Sequence, residues 1–354
     1  MAMRVYETPQ SVNGLEANDM GLRRLRGLLW LFGWSVLKCD VKNALAIEGG
    51  IMKAARFFFS LTSLLLFSHC LRAQDLGPHF KKVADGIFVE SASEASSNCG
   101  IILTKAGVVL IDSGFRSSDA QEVSAAVKKL TPLPILFLVD SENHPDHTTN
   151  HWVFSPPAVI IAGQGTSEAM RKAFDSPDFL TRSGMTREGL TNYQLITPQV
   201  EYHEKMTLNV GERTFELLNL KNVHSETDTA VWLPHERVLF AASAAVPKTF
   251  DNIRPFVTIP DKLNAFKMMK ALNPEVVISG HGSPGTTKIF DEAEQYYALL
   301  VQRVSKMIQE GKSDDQIKQE LRMPEYNDWA AQDRLPTNID AAYRAVKAGY
   351  SPDK

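Results

Sequence analysis

The sequence predicts an α/β protein, a four-layer αββα sandwich followed by a C-terminal helical extension. Three observations lead there. Short apolar runs of strand character alternate with helical stretches in two similar halves, one starting at Phe80 and the other near Met206. Helical periodicity takes over after Gly285. Three of the apolar runs end in polar loops that carry histidine, which places the chemistry along one edge of the sandwich.

Length and composition set the outer bounds. The chain has 354 residues, 44% of them hydrophobic, with a formal net charge of −3. That length supports one large core or two modest ones. The near-neutral balance gives no electrostatic footprint for nucleic acid or for an anionic membrane.

Residues 1–74 do not read as part of the core. Met52-Lys53-Ala54-Ala55-Arg56 is a short basic start, Phe57 to Phe67 is apolar, and Ser68 to Gln74 is polar. That order describes a secretory signal peptide over 52–74, cut after Ala73 or Gln74. The apolar run is too short to span a bilayer, so no stable membrane span is expected once it is removed. The mature chain is then expected in the periplasm or outside the cell. Residues 1–51 read as an over-extended start or an N-terminal extension; peptides from 1–51 in the precursor would rule out a start at Met52. Of Cys39, Cys70 and Cys99, cleavage leaves Cys99 alone, so no intrachain disulfide is expected and a buried thiol is.

Taken in order, the mature chain divides into a sandwich over 75–300 and a helical extension over 301–354. Val83 to Val89 reads as a short strand broken by a turn, and Gly100–Leu103 with Gly107–Ile111 as a hairpin. Asp112-Ser113-Gly114 closes the second arm. Ser118 to Leu130 has helical spacing through Val123, Ala126, Val127 and Leu130. Pro134 to Val139 and Pro156 to Ala162 are buried strands. Residues 165–197 are mixed, with helical pieces at Ser167–Phe174 and near Met185–Leu190, and are expected to shape the substrate pocket. The second half brings strands at Thr207–Val210, Thr214–Leu220, Thr229–Leu233, Val238–Ala242 and Val276–Ile278, with a helix at Lys262–Leu272. The extension reads as helices at Phe290–Glu310, Asp314–Leu321 and Asp340–Val346, with Tyr326 and Trp329 as core residues.

The chemistry concentrates in residues 138–151. Glu142, His144, Asp146 and His147 lie beyond the end of a buried strand, and Pro145 stiffens the turn between them. A tight loop fans such groups around one point, whereas a helix scatters them around its axis. Histidine nitrogen with carboxylate oxygen is a ligand set that suits zinc. His224 and His281 stand in similar strand-end settings. Elsewhere, His151, just past the loop, is read as a surface residue with a supporting place behind the ligands as the alternative, and His79, His203 and His235 as surface or turn residues.

Glu142-x-His144-x-Asp146-His147 resembles the HxHxDH signature of the metallo-β-lactamase superfamily, with Glu in place of the first His, and His224 and His281 continue the match. The resemblance implies two zinc ions per chain, one held by Glu142, His144 and His224 and the other by Asp146, His147 and His281. It implies Asp112 as a carboxylate that buttresses the metal loop, although from the residues alone Asp112 is equally a turn former. Asp228, which with Thr227 follows His224, is expected to hydrogen-bond the His224 loop. Where glyoxalase-like members end a strand in a metal-bridging Asp, this chain has Ser243, which is similar to the third metallo-β-lactamase subclass and leaves water or hydroxide as the link. The implied activity is hydrolysis of a small lactam, amide or ester by a metal-bridging hydroxide, with Asp146 orienting it and accepting its proton. β-Lactam hydrolysis is the favoured specific activity. An accessory metallohydrolase of a periplasmic oxidation pathway and a non-catalytic metal-binding protein of the same fold are the alternatives. Glu142 donates more charge than imidazole, which weakens the Lewis acidity expected at the first ion and opens the site to harder divalent metals.

Overall fold

The computed structural model describes residues 75–91, 97–176 and 193–351, within a compact unit spanning Gln74–Lys354. The expected signal stretch, residues 1–51 and the helical piece near Met185–Leu190 lie outside the described residues. Among those described, two sheets form.

The first sheet has seven strands in sequence order. β1 (Phe80–Ala84), β2 (Ile87–Glu90), β3 (Cys99–Leu103) and β4 (Val108–Ile111) pair antiparallel. The turn between β1 and β2 uses Gly86 at φ +66°, a conformation that favours glycine. α1 (Ser117–Leu130) then crosses over to β5 (Ile135–Val139), which runs parallel to β4. Two single turns, α2 (Pro145–Thr148) and α3 (His151–Phe154), lead to the parallel strand β6 (Val159–Gly163). α4 (Thr166–Phe174) follows, and β7 (Val200–Tyr202) closes the sheet.

The second sheet is a meander of β8 (Lys205–Val210), β9 (Arg213–Lys221), β10 (Asp228–Leu233) and β11 (Val238–Phe240). α5 (Ile259–Ala271) returns the chain to β12 (Val276–Ile278), parallel to β11. The C-terminal part is α6 (Lys288–Gln309), α7 (Asp314–Glu320) and α8 (Leu335–Lys347).

Strand alternation builds the layers. Ile102, Val109, Ile111, Val139 and Ile161 of the first sheet face Leu217, Val231, Leu233, Phe240 and Ile278 of the second. Their neighbours Ile101, Leu110, Leu138 and Ile160 point the other way, onto Ala120, Val123, Ala126 and Val127 of α1. On the far side, Ala230, Trp232, Leu239 and Val277 pack under Phe266, Phe290 and Leu300. Side chains at a period of two therefore feed two cores from each sheet, and helices cover both outer faces. Cys99 is 1% exposed in this packing, and burial pushes its thiol pKa well up.

Three local differences from the sequence reading have physical reasons. β7 falls between residue 197 and Met206, where the sequence reading placed no element, because three residues with one buried side chain give too little alternation to read. β11 ends at Phe240 because Ala242 takes φ 48°, which breaks the ladder two residues before the expected end. The stretch after His144 is one helical turn, because Pro145 at its first position presets the helical φ. No helix among the described residues is long and apolar enough to cross a membrane.

Candidate metal centre

The centre lies beyond the C-terminal ends of β4, β5, β9, β11 and β12. β5 delivers Glu142, His144, Asp146 and His147. His144 is the N-cap of α2, so its side chain departs before the turn, while Asp146 and His147 leave from inside it. A single turn does not scatter groups as a long helix does. His224 follows β9, Ser243 follows β11 and His281 follows β12.

The structure brings the six sequence-predicted residues into two groups. One ligand-type atom from each of Glu142, His144 and His224 lies within 4.8 Å of the others, and the same holds for Asp146, His147 and His281. The His144 and His224 rings meet edge-on at 5.1 Å, the His147 and His281 rings at 5.4 Å. Glu142 is fully buried, and its Oε2 lies 2.5 Å from His144 Nδ1 and 3.7 Å from His224 Nε2. Its Oε1 lies 2.9 Å from His147 Nε2 and accepts from Ser243 Oγ at 2.5 Å. Asp146 Oδ2 lies 3.1 Å from His281 Nε2.

Electrostatics keep the carboxylates ionised. Burial alone would raise the Glu142 pKa, but the rings of His147, His224 and His144 overcome it and hold the carboxyl well below its usual range. Burial likewise opposes ionisation of Asp146, and His147 and His281 bring it down to about 2. Burial lowers the His144 and His147 pKa values, and Glu142 more than reverses this in both, helped at His147 by Asp112 and Asp146.

The residues fit divalent metal ions. Glu142 Oε2 and His147 Nε2 are buried, and neither has a hydrogen-bond partner of good geometry. Buried polar atoms left in this way cost free energy, and inward-facing carboxylate oxygen and imidazole nitrogen in such groups are a cation's donors.

The supporting shell is dense. Asp112, held at φ 59°, accepts from Ser141 N (2.7 Å) and Ser141 Oγ (2.6 Å), and its Oδ2 is 2.9 Å from His147 Nδ1. An aspartate tolerates that left-handed backbone better than most residues. Asp112 is therefore a buttress as well as a turn former. Asp228 is fully buried and accepts from the backbone N–H groups of Val223 (2.7 Å), His224 (2.6 Å) and Ser225 (2.9 Å), shaping the loop without touching the His224 ring. Gly280 leaves the space that Ser243 fills. A Cβ there would collide with Ser243 Oγ and come within 3.0 Å of His147 Cε1. Gly280→Ala is expected to cost about 1–3 kcal/mol by overpacking and to turn Ser243 away from Glu142. The shift in urea midpoint measures it.

Sequence reasoning missed four residues of the site. Asp251 Oδ1 lies 3.3 Å from His224 Nδ1, and Asp251 Oδ2 accepts from Tyr297 (2.9 Å) and pairs with the Lys262 ammonium. Lys262, 1% exposed, also donates to Val223 O at 2.9 Å. Burial opposes ionisation of Asp251, but Lys262 and then His224 drive its pKa far down. Lys262 carried a readable signal: with Ile259, Phe266 and Met269 it falls on the buried stripe of α5, and a charge there demands a partner. The fourth is Arg254, whose Nη2 lies 3.4 Å from His144 Nε2.

His151 corrects the sequence reading. It is 1% exposed, with Nε2 2.8 Å from Asp140 Oδ1 and Nδ1 2.7 Å from Ile196 O, so it ties the start of the metal loop to the segment before β7.

The family model for the metallo-beta-lactamase superfamily matches residues 93–281, more than half of the chain and all six of these residues. The chain belongs to the metallo-β-lactamase superfamily. Among its relatives are the 2,4-dinitroanisole O-demethylase subunit alpha of Nocardioides sp. (strain JS1661), 22% identical over 56% of this chain and 54% of that one. A linear primary-alkylsulfatase of Pseudomonas sp. (strain ATCC 19151) is 19% identical over 62% of this chain and 48% of that one. A stereoselective inverting sec-alkylsulfatase from Pseudomonas sp. superposes with a TM-score of 0.59 and 18% identity, over 77% of this chain and 50% of that one. That likeness shows the fold. The chain spans about half the length of each of these relatives. Glu142 with His144 and His224, and Asp146 with His147 and His281, are two residue groups within the matched region that could each hold a metal ion.

Proposed function

We propose that the protein is an exported hydrolase that uses two zinc ions per chain to cleave a small lactam, amide or ester bearing an anionic group. Arg254 carries the last part of this reading. Among the described residues no carboxylate forms an ion pair with it, and its guanidinium Nη2 lies 3.4 Å from His144 Nε2. With His144 Nδ1 given to a metal, Nε2 bears the ring proton and cannot accept. The guanidinium is then left with hydrogen bonds to give, beside the first ligand group, which suits a carboxylate or sulfate on a substrate.

When bound, the ions supply Lewis acidity and acidify water. The chain does the rest. Glu142, His144 and His224 would hold one ion, and Asp146, His147 and His281 the other. Asp146 stays ionised at neutral pH and offers a carboxylate oxygen to orient water and take its proton. Arg254 anchors the substrate's anionic end.

β-Lactams carry such an anion, and Ser243 with the six-residue ligand pattern favours them. A sulfate ester is the second reading, favoured by the names of the alkylsulfatase relatives and by the same arginine. Export rests on the pattern of residues 52–74.

Metal analysis of the purified chain, with chromogenic β-lactam, alkyl sulfate and neutral ester assays run with and without chelator, tests the whole reading. Two zinc ions per chain and chelator-sensitive turnover of an anionic substrate are expected; full occupancy with no turnover of any of the three would overturn it. Arg254→Ala is expected to raise KM for the anionic substrate about 10- to 100-fold, as loss of a charge-assisted hydrogen bond worth about 1.5–3 kcal/mol. Arg254→Lys should recover part of that, and KM for the neutral ester should not move.

A further inference from the structure

We propose that Glu142 bridges the two ligand groups, one carboxylate oxygen to each, and so supplies the anionic link that Ser243 cannot. The inference rests on the two-ion reading above.

The two oxygens have different neighbours. Oε2 faces His144 Nδ1 at 2.5 Å and His224 Nε2 at 3.7 Å, both of the first group. Oε1 lies 2.9 Å from His147 Nε2, which belongs to the second. The carboxylate thus lies between the groups. Ser243 Oγ donates to Oε1 at 2.5 Å and stops the carboxylate from rotating both oxygens toward the first group. One hydrogen bond leaves Oε1 a lone pair to give, since each carboxylate oxygen has two.

The chemistry of residue 142 follows. An imidazole there would present one nitrogen to one ion. A carboxylate presents two oxygens and spreads one negative charge between two dications whose repulsion in a buried site is large. A serine at 243 brings no charge, but its hydroxyl aims the charge that Glu142 brings. The Glu at the first motif position and the Ser at the strand end therefore act as one device. Neither does this alone.

Zinc titration against a competing chelator, on the wild type, Glu142→His and Glu142→Asp, tests the bridge, with circular dichroism to verify folding. Glu142→His leaves Asp146, His147 and His281 untouched and keeps one donor for the first group; Glu142→Asp keeps the charge but is too short to reach both. Both variants are expected to weaken the second zinc about 10-fold or more, the scale of lost support around a metal. Second-ion affinity unchanged in Glu142→His would overturn the bridge. Anomalous diffraction from zinc-loaded wild-type crystals needs no variant: one oxygen toward each of two peaks is expected, and both oxygens on one peak would reject it. A wild type that binds no zinc would bring down the two-ion reading and the bridge with it. That result is distinct from two bound ions with Glu142 on only one.

Discussion

Replacing Asp251 with Ala is expected to destabilise the protein by about 3–5 kcal/mol, because it leaves Lys262 as a buried charge without its counter-ion. Lys262 is 1% exposed and its remaining hydrogen bond goes to Val223 O. At just under about 2 °C per kcal/mol for a folded unit of this size, the melting temperature should fall by about 5–9 °C. The same substitution frees the outer nitrogen of His224, so zinc affinity of the first group should drop about 10- to 100-fold. The two effects separate in a double variant. Asp251→Leu with Lys262→Met removes both charges, and buried ion pairs replaced by apolar groups are often neutral in stability. Its melting temperature should return most of the way, while first-ion affinity stays low. Recovery of both would mean that Asp251 supports the fold without positioning His224.

Asp112→Asn should be the most damaging isosteric change in the centre. Asp112 accepts at both oxygens, from Ser141 N and Oγ and at the His147 Nδ1 contact of 2.9 Å. With zinc on His147 Nε2 the Nδ1 atom bears a proton, so all three neighbours are donors. An asparagine must turn its NH₂ toward at least one of them. A loss of about 1–3 kcal/mol follows from the unsatisfied buried donor, and second-ion affinity should fall about 10- to 100-fold. Zinc titration with thermal melting of the apo protein measures both. Unchanged second-ion affinity would show that Ser141 and the α2 turn hold His147 without Asp112.

The ligands were legible because four of them sit within six residues, and a strand end before Pro145 is a local signal. His224 and His281 were legible because each follows an apolar run of strand length. The layers were legible for the same reason, since strand alternation is written in adjacent residues. What holds the ligands was not. Asp251 meets Lys262, Tyr297 and Asn338, whose Nδ2 donates to Asp251 O at 2.8 Å, and nothing near Asp251 in the chain announces those distant partners. His151 failed in the opposite direction: the polar Thr148-Thr149-Asn150 before it reads as surface, yet Asn150 is fully buried and donates to Ser113 O, Gly114 O and Arg116 O. Polar residues satisfied by backbone carbonyls look exposed in sequence. Arg254 gave no signal because an arginine facing a site and one facing solvent have the same local spelling.

The anchoring of Asp251 by the C-terminal helices also sets a schedule. A ribosome has made all six ligand residues once His281 is added, but Tyr297 and Asn338 come later. A domain generally folds as a unit, which here needs the C-terminal helices to have emerged. A nascent chain stalled between 282 and 330 would thus own a full set of metal-binding side chains and lack the clamp that sets His224. Zinc loading should therefore be among the last events in the life of the new chain, completed only when α8 has docked.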